Sequence, residues 1–139
     1  MAERKRDEVS RLSYENFIEI LTDAHENNVT LDIAISPLHA RLLETMDYRV
    51  GLDAAWYEWK KQITAVNEEV AKRLGKKPFR IVDFGVYNEI TAQELPKDAD
   101  QISPYYWEAS HYNARLGDIY DAGFLVGAGR ARGARRRDN

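Results

Sequence analysis

Glu108 and His111 stand three residues apart in the segment PYYWEASHYNARLGD, residues 104–118. In a loop or at a helix start, that spacing lets a carboxylate reach one imidazole nitrogen while the other faces outward. The carboxylate then fixes the tautomer and stabilises the imidazolium, which prepares a histidine to take a proton from a hydroxyl. The same spacing also arises in a surface pair that caps a following helix. Tyr105, Tyr106 and Trp107 precede the pair. With His111 they offer the lining of a small-molecule pocket formed between subunits, or only an aromatic lid over a core.

Other residues carry chemistry at less telling positions. His39 lies in the first turn after a predicted strand, where open α/β folds place their ligands. It reads either as a binding residue or as a partly buried polar contact. Ser36, three residues earlier, is the best-placed hydroxyl for a nucleophile, yet it also suits a helix N-cap. Asp83, within a second predicted strand, either reaches a binding site or bonds to backbone. Trp56 and Trp59 would stack on sugars only if exposed; their helical spacing with Ile63 and Val66 predicts core instead. His25 reads as solvated. The three histidines lack the spacing of a metal centre, no Walker loop is present, and GAGRARG (127–133) follows no strand. No metal or other cofactor is expected.

The elements that must position these groups follow from periodicity. Tyr14, Phe17, Ile18, Leu21 and Ala24 predict a helix from about 8 to 27, stopped by the asparagines of ENN. VTLDIAIS (29–36) predicts a strand whose faces are both partly covered. Pro37 opens a helix with Ser36 as its cap. Trp56, Trp59, Ile63, Val66, Val70 and Leu74 form the stripe of a long helix, 52–74, ended by Gly75. PFRIVDFGVYN (78–88) predicts a second strand, residues 89–104 a loop, and Tyr112 to about Gly127 a last helix. Strand, helices and strand in that order call for a right-handed parallel crossover. Two parallel strands leave unpaired edges, so self-association is expected to complete the sheet.

The 139 residues suit one domain, at 8–128, with a flexible N-terminus (1–7) and a basic flexible tail (129–139). The last ten residues hold five arginines and Asp138; the remaining chain carries 15 basic and 22 acidic residues. Such a tail suits nucleic acid or an anionic membrane, but it is short and lacks interleaved aromatics, so no nucleic-acid partner is expected. The absence of cysteine excludes disulfides, thiolate zinc sites and cysteine nucleophiles. No apolar run is long enough to span a bilayer, and the N-terminus has no secretory h-region. The chain thus reads as cytoplasmic.

Taken in order, these segments resemble the second half of the SGNH (GDSL-like) hydrolase superfamily. The resemblance rests on a strand ending in IAISP, a long helical connection, the strand RIVDFGVYN, and an acid-x-x-His block with glycine soon after, WEASHYNARLGD. SPLHARLLE, GLDAAWYEWK and YYWEASHY are similar to segments of envelope-associated bacterial members. It covers roughly residues 14–128 and implies half of a flavodoxin-like α/β fold, with His111 as base and Glu108 in place of the usual aspartate. The G-D-S or G-S-S nucleophile turn of the family is not in this sequence. The resemblance therefore implies a truncated, partial hydrolase or acyl transferase for acylated carbohydrate, with Ser36 the local substitute nucleophile. The alternatives are a non-catalytic module that forms oligomers and the pocket between subunits.

Overall fold

The computed structural model describes residues 2–98 and 101–123. It is a mixed α/β arrangement of four helices, a two-stranded parallel sheet and a small antiparallel hairpin. Helix α1 spans Ala2–Glu26, strand β1 Asp32–Ile35, α2 Ala40–Val50, α3 Leu52–Arg73 and β2 Arg80–Asp83. The hairpin strands are β3, Tyr106–Glu108, and β4, His111–Tyr112. Helix α4 runs from 114, described to 123. Strands β1 and β2 pair with each other, and α2 and α3 provide the crossover that parallel neighbours require. The expected basic tail lies outside the described residues.

The helix ends follow the local chemistry of the chain. Asn28 takes a left-handed φ of 56°, and the Val29 amide returns to the Ala24 carbonyl at 2.8 Å. Gly75 does the same after α3, with φ 65° and a 2.8 Å bond from the Lys76 amide to Ala71. Gly51 separates α2 from α3 at φ 62°. Helix α2 departs from expectation. It begins at Ala40 rather than at Pro37, and its N-cap is His39, not Ser36.

The chain divides into two compact units, one reaching to Ile33 and resuming at Ala54–Ile81, the other comprising Ala34–Asp53 and the chain from Val82 onward. In the first, α1 and α3 run side by side in the same direction. Tyr14 meets Gln62, and further along both helices Arg73 donates to Thr22 at 3.2 Å. Leu21, Ala24, Val70 and Ala71 are buried there. His25 stacks on Phe79 with ring centroids 4.0 Å apart, so it is buried rather than solvated. Asn67 grips the backbone of Phe79 from both sides, accepting its amide at 3.1 Å and donating to its carbonyl at 2.8 Å. That clamp sets the start of β2.

The tryptophan stripe of α3 is covered only toward its C-terminal end. Val70 is buried, but Trp59 stays 37% exposed and stacks on Trp56, with centroids 4.9 Å apart. Periodicity identified the face, but its first half is only partly covered, with Trp56 and Ile63 half-buried. Trp59 is therefore not a core residue.

In the second unit the buried residues include Ile35, Ala40, Leu43, Tyr106 and Leu116, with His39, Thr91 and Ser103 as polar members. Thr91 organises the turn after β2. Its hydroxyl donates to the Val86 carbonyl at 2.6 Å and accepts from the Asn88 amide at 2.9 Å. Asn88 in turn accepts the amides of Ile90 and Thr91, each at 2.9 Å. The Thr91 carbonyl then takes the amide of Ala40 at 2.8 Å, docking the first residue of α2.

Candidate active site

The hairpin was expected as loop and helix start, and its construction explains why. Its strands are three and two residues long. Tyr106 pairs with Tyr112 and Glu108 with His111, so Trp107 is the extra residue of a bulge. The base is pinned by Ser103 and Asn113. Ser103 Oγ accepts the Tyr106 amide at 3.2 Å and the Gln93 side-chain amide at 3.0 Å. Asn113 donates from its own amide to the Tyr105 carbonyl at 2.8 Å, and from Nδ2 to the Pro104 carbonyl at 3.0 Å. Its Oδ1 accepts the Leu116 amide at 3.2 Å, capping α4.

His39 sits behind this hairpin, 3% exposed. Its Nδ1 accepts the Arg41 amide at 3.1 Å, which caps α2 and requires that nitrogen to be bare. The proton is therefore on Nε2, which donates to the Gln93 carbonyl at 2.9 Å. The backbone amide of His39 donates to the Ala109 carbonyl, in the hairpin turn, at 3.1 Å. The edge of the ring packs against Tyr106, at 5.1 Å between centroids. Both ring nitrogens are engaged, so His39 has no atom left to bind a ligand.

The turn itself, Ala109–Ser110, brings Glu108 and His111 together. His111 Nδ1 faces Glu108 Oε1. Ser110 completes the group. Its amide donates to Glu108 Oε2 at 2.8 Å, its hydroxyl donates to Oε1 at 2.6 Å, and the Ser110 hydroxyl oxygen lies 3.0 Å from His111 Nδ1. The Ser110 hydroxyl and amide, and then His111, hold the Glu108 carboxyl down at about 2. An ionised carboxylate that faces Nδ1 favours the proton there and leaves Nε2 unprotonated in the neutral ring. The His111 side chain is 78% exposed, and Nε2 has no hydrogen bond among the described residues. This arrangement presents a bare, oriented imidazole nitrogen to an incoming hydroxyl or water.

The remaining candidates are not all at this point. Trp107, 74% exposed, flanks Glu108 on the bulge. Tyr105 is half-buried beneath the Arg115 guanidinium, which lies 5.1 Å from its ring centre. Tyr106 is 1% exposed, and its hydroxyl has no partner among the described residues. Burial, and secondly the nearby Tyr120, pushes it up to about 12. Asp83 ends β2 and accepts the Gly85 amide at 2.9 Å, a local turn bond. Ser36 borders a separate cavity with Tyr112, and no hydrogen bond joins it to His111 among the described residues.

Ser110 was not anticipated. The available signal was a serine two residues after an acid at a tight turn, where hydroxyl and amide both fold back onto the carboxylate. Comparison with family models, curated proteins and solved structures found no match.

Because the folded pKa of Glu108 lies below the ordinary glutamate range, its ionised carboxylate, with the bonds it accepts from Ser110, is fully present above that range. It is lost as pH falls through about 2. Removing the hydroxyl donor in Ser110→Ala should move the carboxyl ¹³C titration midpoint of Glu108 upward. A midpoint unchanged from wild type would contradict the role given to Ser110.

Proposed function

We propose that the chain supplies the acid–base apparatus of an SGNH-type ester hydrolase or acyl transferase. The single observation that carries this reading is the Glu108–Ser110–His111 group, with Nδ1 on an ionised carboxylate and Nε2 open. Nε2 takes the proton of a hydroxyl or water as its oxygen bonds to the ester carbonyl carbon. The tetrahedral adduct then expels the alkoxide, which receives the same proton from the imidazolium, while Glu108 stabilises the positive ring. Attack by water gives acid and alcohol; attack by another hydroxyl transfers the acyl group. Acylated carbohydrate is the favoured substrate class, because the exposed Trp107 offers a flat face beside the base on which a sugar ring can stack. The resemblance of IAISP, RIVDFGVYN and WEASHYNARLGD to SGNH segments supports the same assignment and half of a flavodoxin-like fold. The candidate nucleophiles are Ser36 and a hydroxyl or water from another molecule.

A second reading, a self-associating module, is favoured by the uncovered face of the first unit. Trp59 lies with Ser13, Tyr14, Phe17 and Ile63 around a groove of about 350 Å³, and Leu12 and Ile20 are also exposed. A second copy would cover these side chains and give the short sheet further neighbours.

Hydrolysis of a chromogenic acetyl ester separates the readings. Wild type should exceed His111→Ala by ~10²-fold or more, the scale of a positioned general base. Glu108→Gln should also lose rate, and Ser36→Ala tests that serine as nucleophile. Equal rates in wild type and His111→Ala would remove the hydrolytic reading. Light scattering over a concentration series should show an oligomer that Trp59→Glu disperses. A wild-type monomer at all concentrations would remove the self-associating one.

A further inference from the structure

The second unit holds a cavity of about 150 Å³ at the carboxyl ends of the parallel strands. Ser36 follows β1 and Phe84 follows β2; Tyr112 comes from the hairpin, and Gly117, Tyr120 and Asp121 from α4. Carboxyl ends of parallel strands are the usual ligand position in open α/β folds. At about 30 Å³ for each water in the liquid, the space corresponds to roughly five waters, or a ligand of about four to six heavy atoms.

The lining selects by charge. Among the described residues it contains no lysine, arginine or histidine, and its one carboxylate there, Asp121, makes no ion pair. Three of its side chains are aromatic, and the rings of Phe84 and Tyr120 pack at 4.2 Å between centroids. Aromatic side chains can hold a cation over their faces, whereas an anion would meet the carboxylate. The Tyr120 hydroxyl is buried without a well-formed hydrogen bond, although Asn88 lies close enough to offset part of the upward pull of burial on its pKa. Ser36 is exposed and has no hydrogen bond among the described residues. Its hydroxyl oxygen is an acceptor for an N–H donor. Gly117 forms part of the wall, where an added Cβ would make ordinary contact with the Tyr112 ring at 3.5 Å.

We propose that this cavity binds a small organic ammonium ion, seated against Phe84, Tyr112 and Tyr120 with Asp121 as its counter-charge. The site shares only Ser36 with the hydrolytic reading, and neither Glu108 nor His111 lines it.

The test is an amide NMR titration of the full chain with n-propylammonium, beside 1-propanol as the neutral isostere and propionate as the anion. Propylammonium should give saturable shifts at Gly117 and Asp121 that the other two do not. Asp121→Asn changes an exposed side chain and should weaken binding about three- to fivefold, the scale of a solvent-exposed charge pair. Gly117→Leu fills the space and should abolish the shifts, with a melting curve to show that it folds. Equal binding of 1-propanol, tighter binding of propionate, no saturation by propylammonium, or unchanged affinity in Asp121→Asn would each overturn the assignment.

Discussion

His39 accepts the Arg41 amide at Nδ1 and donates from Nε2 to Gln93, so both nitrogens are spent inside the second unit. Its backbone amide reaches the hairpin turn at Ala109, and its ring supports Tyr106. One buried residue thus joins the start of α2, the loop after β2 and the hairpin that carries Glu108 and His111. A hydrogen bond lost from such a buried group costs about 1–3 kcal/mol, because the partner is left unsatisfied. The proposed chemistry depends on this grip, since a hairpin of three- and two-residue strands has little pairing of its own.

The two histidines of this unit hold opposite tautomers for opposite purposes. At His39 the backbone donor at Nδ1 puts the proton on Nε2, and the ring becomes an internal strut. At His111 an ionised carboxylate faces Nδ1, and the proton it favours there leaves Nε2 bare on the surface. Ser110 makes the second arrangement firm by bonding to both oxygens of Glu108. The carboxylate is consequently fixed by its own turn rather than by the partner it orients. The cavity beside Ser36 is a different environment, aromatic and acidic, and it uses the strand ends rather than the hairpin tip.

Much of the architecture was legible because it rests on local rules. Asn28 and Gly75 end their helices through left-handed geometry, which their residue types favour. Strand and helix patterns around 32–35, 52–73 and 80–83 gave the parallel unit. The hairpin was hidden because four paired residues and a bulge are too few for alternation, and an Ala-Ser turn carries no glycine or asparagine signal. The start of α2 was misplaced because Pro37 suits a first helical turn, whereas a histidine ring is an uncommon cap. Trp59 shows the limit of periodicity, which marks an apolar face without saying what covers it. At the site, the acid-x-x-His pair was visible, but Ser110 needed the turn geometry to be seen.

The tautomer of His111 is the most direct measure of the account. Long-range ¹H–¹⁵N correlation spectra of the neutral protein report which ring nitrogen carries the proton. The prediction is a protonated Nδ1 and a bare Nε2 in wild type, with that preference weakened in Glu108→Gln. A wild-type ring protonated mainly at Nε2, as a free exposed imidazole prefers, would contradict the claim that Glu108 and Ser110 prepare His111 as a base.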